Sequence, residues 1–434
     1  MSKRIKIISE YGIIQCGMIE EESLSVCGIE ETSFNQLKRY IQENAKEGND
    51  IEKAFSISSS KGVERITVKN YVGVIETKSG VIIEVLPKIL KANTGQDSEE
   101  SHIQKTKKIF LRMLGKLKDS PFININKAGL NDRKNFTIIE VFINSYINEV
   151  DNLLNSGLIG DYVRLNKNLP YVKGRIDIQK QIKRNMVNKG KIFCSFKKYK
   201  INNPHNQTIK NTLRKLLKES RFQSNRIKIS KQLSQFIDVE STNDVINTLD
   251  KALNKNNRMT KKYEKLLEWS SVFLKGSSFT NFSGKSVNHC ILFPMEKIFE
   301  DFVASEIRKY SGNVKVSTQG KLNTKYLVKQ GEDNRFELKP DIILSRTNIF
   351  SVIDTKWKML DNSPSSKKSN FGVSISDMYQ LFAYGKKYNS PKLVLLYPKT
   401  EDFKEPLVEY DYDDLLLNVY PYDLTLKGND AESQ

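Results

Sequence analysis

Apolar and polar residues alternate along ITVKNYVGVIETKSGVIIEVLPKI, residues 66–89. A period of two belongs to a strand, whose successive side chains leave opposite faces. The break at Lys78-Ser79-Gly80 predicts a hairpin. The opening MSKRIKIISEYGIIQCGMIE also reads as strand, without the continuous apolar run and small-residue cleavage site of a secretory leader. SFNQLKRYIQENAKEG, residues 33–48, has helical spacing. Residues 1–92 are therefore expected to form a β-rich domain. The polar stretch KANTGQDSEESHIQ, 93–106, reads as a linker or exposed loop. From Lys107 the apolar residues recur every three or four positions, in KKIFLRMLGKLK and then FTIIEVFINSYINEVDNLLNSG, with Gly157 as a C-cap. Residues 157–185 mix strand and turn, and a further helix starts near Pro204. Amphipathic helices follow at 242–254 and 259–274, so 93–280 reads as a mainly helical middle region. Gly276-Ser277-Ser278 and Phe282-Ser283-Gly284 mark its end.

Residues 285–425 return to mixed patterning. A helix (MEKIFEDFVASEIRKY) precedes four strands (NVKVST, YLVKQ, PDIILS, FSVIDTKWK), a second helix (SDMYQLFAYGKKY) and a strand (KLVLLYP). The expectation is a mixed α/β core, with a frayed tail at 426–434.

Charged groups interrupt two of those strands. Asp354 and Lys356 are two apart and so share a face, with Ile353 and Trp357 on the other. Asp341 begins the preceding strand, and its separation of 13 positions from Asp354 suffices for a hairpin that sets the two carboxylates side by side. Such a pair repels unless a cation lies between them. Mg²⁺ takes one or two carboxylates together with waters and phosphate oxygens, and a nearby lysine can orient the attacking water and balance the charge of the transition state. Phosphodiester hydrolysis is the chemistry this set serves. Glu300, on the helix before the strands, could add a metal or water contact. Gln380 and Tyr384 lie four apart on one helix face, able to meet phosphate or to hold Lys356. Each also has a plain structural reading, as a hairpin salt bridge, an exposed glutamate or a helix surface pair.

Composition adds a partner. The 434-residue chain carries 70 Lys and Arg against 51 Asp and Glu, net +19. Between Lys180 and Lys231 there are 16 Lys or Arg and one acidic residue, Glu219. Like charge crowded this closely favours a polyanion, and Lys197, Lys198, Lys200 and Lys215 are candidate contacts to the phosphates of double-stranded DNA. No run of apolar residues is long enough for a membrane span. Cys16, Cys27, Cys194 and Cys290 show no C-x₂-C spacing, which disfavours a zinc or redox site and suits a reducing cytoplasm.

PD…DTK followed by QLFAY resembles the PD-(D/E)XK nuclease superfamily in its RecB-like form with a Q-x-x-x-Y helix. YVGVIETKSGVIIEVLPKI, LLNSGLIGDYVRLNKNLPYVKGRIDI, NPHNQTIKNTL and MEKIFEDFVA are, in that order, similar to successive blocks of the McrC family, over roughly residues 60–400. The resemblance implies an α+β multidomain protein with a β-rich N-terminal region for partner binding, a helical middle and a C-terminal mixed α/β PD-(D/E)XK nuclease domain. It implies a partner, the McrB-like AAA+ GTPase, which recognises and translocates DNA while the McrC-like subunit stimulates GTP hydrolysis and cuts. It also implies that Asp341, Asp354 and Lys356 are the catalytic set with Mg²⁺ as cofactor, Glu300 the acidic helix residue, and Gln380 and Tyr384 the Q-x-x-x-Y pair. Arg175, in KGRID, is a candidate for GTPase stimulation. Two readings compete: a stand-alone RecB-like repair nuclease, disfavoured because the chain has no G-x-x-x-x-G-K-[ST] motor motif, and a non-catalytic activator and DNA-binding scaffold, which would need none of the three catalytic groups.

Overall fold

The computed structural model describes residues 5–46, 51–89, 99–118, 136–187, 189–255, 257–275, 287–319, 324–346, 349–407, 409–412 and 415–425. The expected boundary at 276–284 and the tail at 426–434 lie outside them. The chain divides into two compact units, one made of residues 1–138 and 276–434, the other of 139–275.

In the first unit the alternating stretch folds as expected: Tyr71–Thr77 and Ile82–Leu86 pair antiparallel across the Lys78-Ser79-Gly80 turn. Ile5–Ser9 adds to Ile82–Leu86 in parallel, and Val287–Pro294 closes the other edge by pairing with Tyr71–Thr77. Gly73 makes that last pairing possible, because a Cβ there would stand 2.0 Å from the Ile291 carbonyl oxygen. A second sheet orders Val26–Ile29, Ile13–Cys16, Val63–Val68 and Phe55–Ser60. Helix Glu31–Lys46 lays Phe34, Leu37, Tyr40 and Ile41 into a core shared with both sheets. Residues 99–106, expected as linker, belong to helix Glu99–Leu114, whose Ile109, Phe110, Met113 and Leu114 are buried. The polar first turn of this helix hides it from a reading of periodicity, yet Glu99 and Glu100 suit the positive end of a helix.

The C-terminal part of this unit is a six-stranded mixed sheet, ordered Lys315–Thr318, Ile342–Ser345, Ile349–Thr355, Lys392–Pro398, Leu415–Tyr422, Tyr410–Tyr412. Ile349–Thr355, Lys392–Pro398 and Leu415–Tyr422 run parallel, and helix Ile375–Tyr388 crosses between the first two. Helix Met295–Tyr310 precedes the sheet. YLVKQ is a strand, Lys325–Gln330, but among the described residues it pairs only with Asp333–Leu338, in a separate hairpin. The core beneath holds Val352, Leu381, Leu393, Leu395 and Leu417. The expected domain at 285–425 thus begins differently: Val287–Pro294 belongs to the N-terminal sheet, and both parts fall in one unit.

The second unit combines helices with a small sheet. Pro204–Glu219 contacts Gln223–Ser234, Val245–Asn254 and Glu264–Lys275. Asn203 caps Pro204–Glu219 by accepting from the Asn206 amide. Glu140, buried on helix Ile138–Asn155, accepts from Ser220 Oγ at 2.9 Å and Asn225 Nδ2 at 2.8 Å. Of the small sheet, Asp161–Leu169 and Arg175–Ile176 fall within 157–185, where the sequence pattern mixes strand and turn, while the central strand Ile192–Lys200 lies beyond that stretch. Among the described residues no helix is long and apolar enough to cross a membrane.

Candidate active site

Two strands build the cluster. Ile342 pairs with Ile353, so the residues flanking that pair, Asp341 and Asp354, meet at the ends of adjacent strands. Asp341 Oδ2 accepts from both the Thr355 amide and the Thr355 hydroxyl, each at 2.7 Å. The strand stops at Thr355, and Lys356 lies just past it with its amide donating to the Leu396 carbonyl at 2.9 Å. The Lys356 side chain turns back so that Nζ stands 2.5 Å from Asp354 Oδ2. Asp354, Lys356 and Asp341 therefore come together as the spacing required, with Ile353 and Trp357 buried.

Helix Ile375–Tyr388 completes the lysine's surroundings. Lys356 Nζ donates to Gln380 Oε1 at 3.0 Å, and Gln380 Nε2 donates to the Tyr384 hydroxyl at 2.9 Å. The helix is fixed at its start by Ser374, which accepts from the Asp377 amide, and at its end by Asn389 in the left-handed conformation. Helix Met295–Tyr310 contributes Glu300, whose Oε1 accepts from Lys297 Nζ and Gln319 Nε2, each at 3.1 Å. Gln319 also donates its amide to the Asp341 carbonyl at 3.2 Å, which ties the glutamate's surroundings to the first aspartate.

Burial dominates the electrostatics. It pushes Asp354 up to about 7, with the Asp341 charge adding to the rise and Lys356 opposing it. Burial likewise raises Asp341 and Glu300 above the usual carboxylate range. Burial would lower Lys356, but Asp354, Asp341 and Asp377 outweigh it and hold the ammonium above its ordinary value. Two carboxylates clustered in a buried site repel one another when both are ionised. Asp354 Oδ2 is buried, with the Lys356 ammonium as its close neighbour. Asp341 and Asp354 are the oxygen donors a hard divalent ion takes with waters and phosphate oxygens. No three His, Cys, Asp or Glu among the described residues gather as a full ligand cage.

Reading the sequence alone missed Asp377, Thr355 and Gln319. Asp377 lies 3.9 Å from Lys356 Nζ and also binds Lys358 at 2.8 Å. Its signal was present: it is a carboxylate three residues before Gln380, on the same helix face.

The remaining candidates lie in the other unit. Arg175 is exposed and pairs with Ser195 in the small sheet. Gly174 before it has φ 69°, and a Cβ there would stand 2.7 Å from the Ser195 carbonyl oxygen. Lys197 and Lys198 are exposed and Lys200 half-buried. Lys215 differs from the expectation of a free phosphate ligand, because its Nζ donates to the Phe273 carbonyl at 2.6 Å. Lys210, within the same basic segment, is buried and caps the Phe236 carbonyl at 2.9 Å. A count of charges could not tell such anchoring lysines from free ones.

A family model described as the McrBC 5-methylcytosine restriction system component matches residues 66–398, more than half of the chain. The chain belongs to the McrBC family. Its fold is similar to that of a chain in the refined half-complex from the tetradecameric assembly of Thermococcus gammatolerans McrB AAA+ hexamers with bound McrC, with TM-score 0.69 at 16% identity, covering 99% of this chain and 97% of that one. A chain of the Thermococcus gammatolerans McrBC complex also matches, with TM-score 0.51 at 15% identity over 71% of this chain and 88% of that one. Comparison with curated proteins finds no match. The McrBC match runs from the N-terminal hairpin through the Asp354 strand to the end of Lys392–Pro398, so it includes every candidate site residue.

Proposed function

We propose that this McrBC component is the DNA-cutting subunit of a GTP-dependent restriction system, acting with an McrB-like AAA+ GTPase. The observation that carries the reading is the cluster of Asp341, Asp354 and Lys356, with Lys356 held by Gln380. A scaffold has no use for two buried carboxylates whose ionisation is opposed by burial. A bound Mg²⁺ would supply charge stabilisation to the scissile phosphate and an acidified water. Asp341 and Asp354 would hold it, with Glu300 at the edge of the site.

The residues themselves do the rest. Asp341 is oriented by Thr355, so one carboxylate oxygen is fixed and the other is left for the ligand. Lys356 keeps its proton because three aspartates surround it, and it can place an ammonium against the developing phosphorane charge or orient the attacking water. Gln380 and Tyr384 fix the direction of that ammonium. In the second unit Lys197, Lys198 and Lys200 are proposed to touch phosphates, and Arg175 to act on GTP hydrolysis by the partner.

The test is reconstitution of the chain with its AAA+ partner on a methylated plasmid. Cleavage that requires GTP, Mg²⁺ and both proteins is expected. A complex that hydrolyses GTP and binds DNA but leaves every phosphodiester intact would support the scaffold instead.

A further inference from the structure

Glu10 succeeds the first strand, Ile5–Ser9, more than three hundred residues before the candidate lysine, yet the fold places it beside that lysine's neighbour. Trp357 Nε1 donates to Glu10 Oε1 at 2.9 Å and to Oε2 at 3.1 Å. The Lys88 amide donates to the same carboxylate at 2.8 Å. Glu10 is itself fixed, since its amide donates to the Leu86 carbonyl at 2.8 Å. Both Glu10 and Trp357 are buried. The indole ring also meets Phe299 edge-on at 5.3 Å, and Phe299 precedes Glu300 on its helix.

The backbone at this point carries Lys356. It has left the sheet at Thr355, and among the described residues the Lys356 amide bond to Leu396 is the last backbone bond that ties it to the neighbouring strand. Beyond that bond the chain is irregular, so the direction of the lysine depends on where residue 357 is pinned. A buried indole N–H needs an acceptor, and a carboxylate is a stronger one than a neutral group. We propose that Glu10 is a positioning residue for Lys356: its carboxylate holds the Trp357 indole, and with it the backbone that aims the lysine at the scissile phosphate. The N-terminal strands would then be part of the support of the catalytic centre as well as a partner-binding region. This inference rests on the nuclease reading above.

The hydrogen bonds explain why a carboxylate is kept in a buried place. Burial pushes Glu10 up to about 7, against the lowering effect of Lys88 and Trp357. Glu10 lines a cavity of about 610 Å³ whose other lining residues include Lys88, Tyr11, His102, Lys358 and Asp402. A group that costs this much to ionise is retained where its hydrogen bonds set a geometry.

The experiment uses the reconstituted complex and three proteins: Glu10→Met, which has no strong acceptor for the indole N–H, Trp357→Phe and the double variant. Single-turnover cleavage at saturating DNA is expected to slow by about 10-fold in each single variant, the size typical of residues that orient a functional group. DNA affinity and stimulation of GTP hydrolysis should stay at wild-type levels. The double variant should be no slower than the worse single one, because both remove the same interaction. The chain has two tryptophans, Trp269 and Trp357, so a spectroscopic control is at hand. Glu10→Met should shift the tryptophan emission of the wild type and leave that of Trp357→Phe unchanged. Multiplied losses in the double variant, wild-type cleavage in either single one, or a parallel fall of affinity and cleavage would overturn the inference. A wild-type complex that cuts nothing would overturn the nuclease reading and this inference together.

Discussion

At the scale of single residues, the candidate site is organised around keeping Lys356 charged and aimed. Its ammonium meets Asp354, Gln380 and, at 3.9 Å, Asp377. Gln380→Ala would leave the amine with one anchor fewer and is expected to slow cleavage by about 10-fold without changing DNA affinity, as single-turnover rates would reveal. Glu10 gives a second prediction, in stability. Its carboxyl lies at about 7 in the folded chain against 4.5 in a free side chain. A raised acid pKa means that ionisation disfavours the fold. The penalty is absent below about 4.5, grows as pH rises and is complete above about 7. Glu10→Gln removes the titration, so its stability relative to wild type should rise by about 1–3 kcal/mol between pH 4.5 and pH 8. Denaturant unfolding of both proteins at the two pH values measures this. An unchanged difference would show that Glu10 does not titrate in that range.

At the scale of elements, the sequence was most legible where one period dominates. The hairpin at 66–89, the helix at 33–48 and the Asp341–Asp354 strand pair all come from alternation or helical spacing interrupted by the right turn residues. Leu415–Tyr422 was overlooked although its Leu415, Leu417 and Val419 alternate inward, because the charged and aromatic residues around it obscured the pattern. Asp333–Leu338 is almost wholly exposed and has no apolar face to announce it. The pairing of Val287–Pro294 with Tyr71–Thr77 was beyond any local reading, since it joins segments some two hundred residues apart. In the second unit, Gly174 provides an element-scale prediction. Alanine there would need φ near 69° and would press its Cβ on the Ser195 carbonyl and Phe196. Gly174→Ala should destabilise the small sheet by about 1–3 kcal/mol, read as a lower unfolding midpoint. If Arg175 acts on the partner, GTPase stimulation should fall as well.

At the scale of the whole molecule, the linear order of domains proved a poor guide to the compact units. The N-terminal strands and the C-terminal sheet share one unit, and a fragment ending at 280 would remove the edge strand Val287–Pro294 from the N-terminal sheet. Partner binding is therefore best mapped with point variants of the full chain. The excess of basic charge is likewise only partly available to a ligand, because Lys210 and Lys215 are spent on internal carbonyls. Lys197→Glu with Lys198→Glu and Lys200→Glu should weaken binding to all duplexes alike and flatten its salt dependence, by about 0.9 in the log–log slope for each phosphate no longer neutralised. A titration over several salt concentrations tests it, and an unaltered slope would assign these lysines elsewhere. The central claim, that the Asp341–Asp354–Lys356 cluster cuts DNA, is tested most directly by Asp354→Ala and Lys356→Ala in the complete complex with GTP and Mg²⁺. The account predicts that cleavage of methylated DNA disappears in both while GTP hydrolysis stays near wild type. Full cleavage by Asp354→Ala would contradict it.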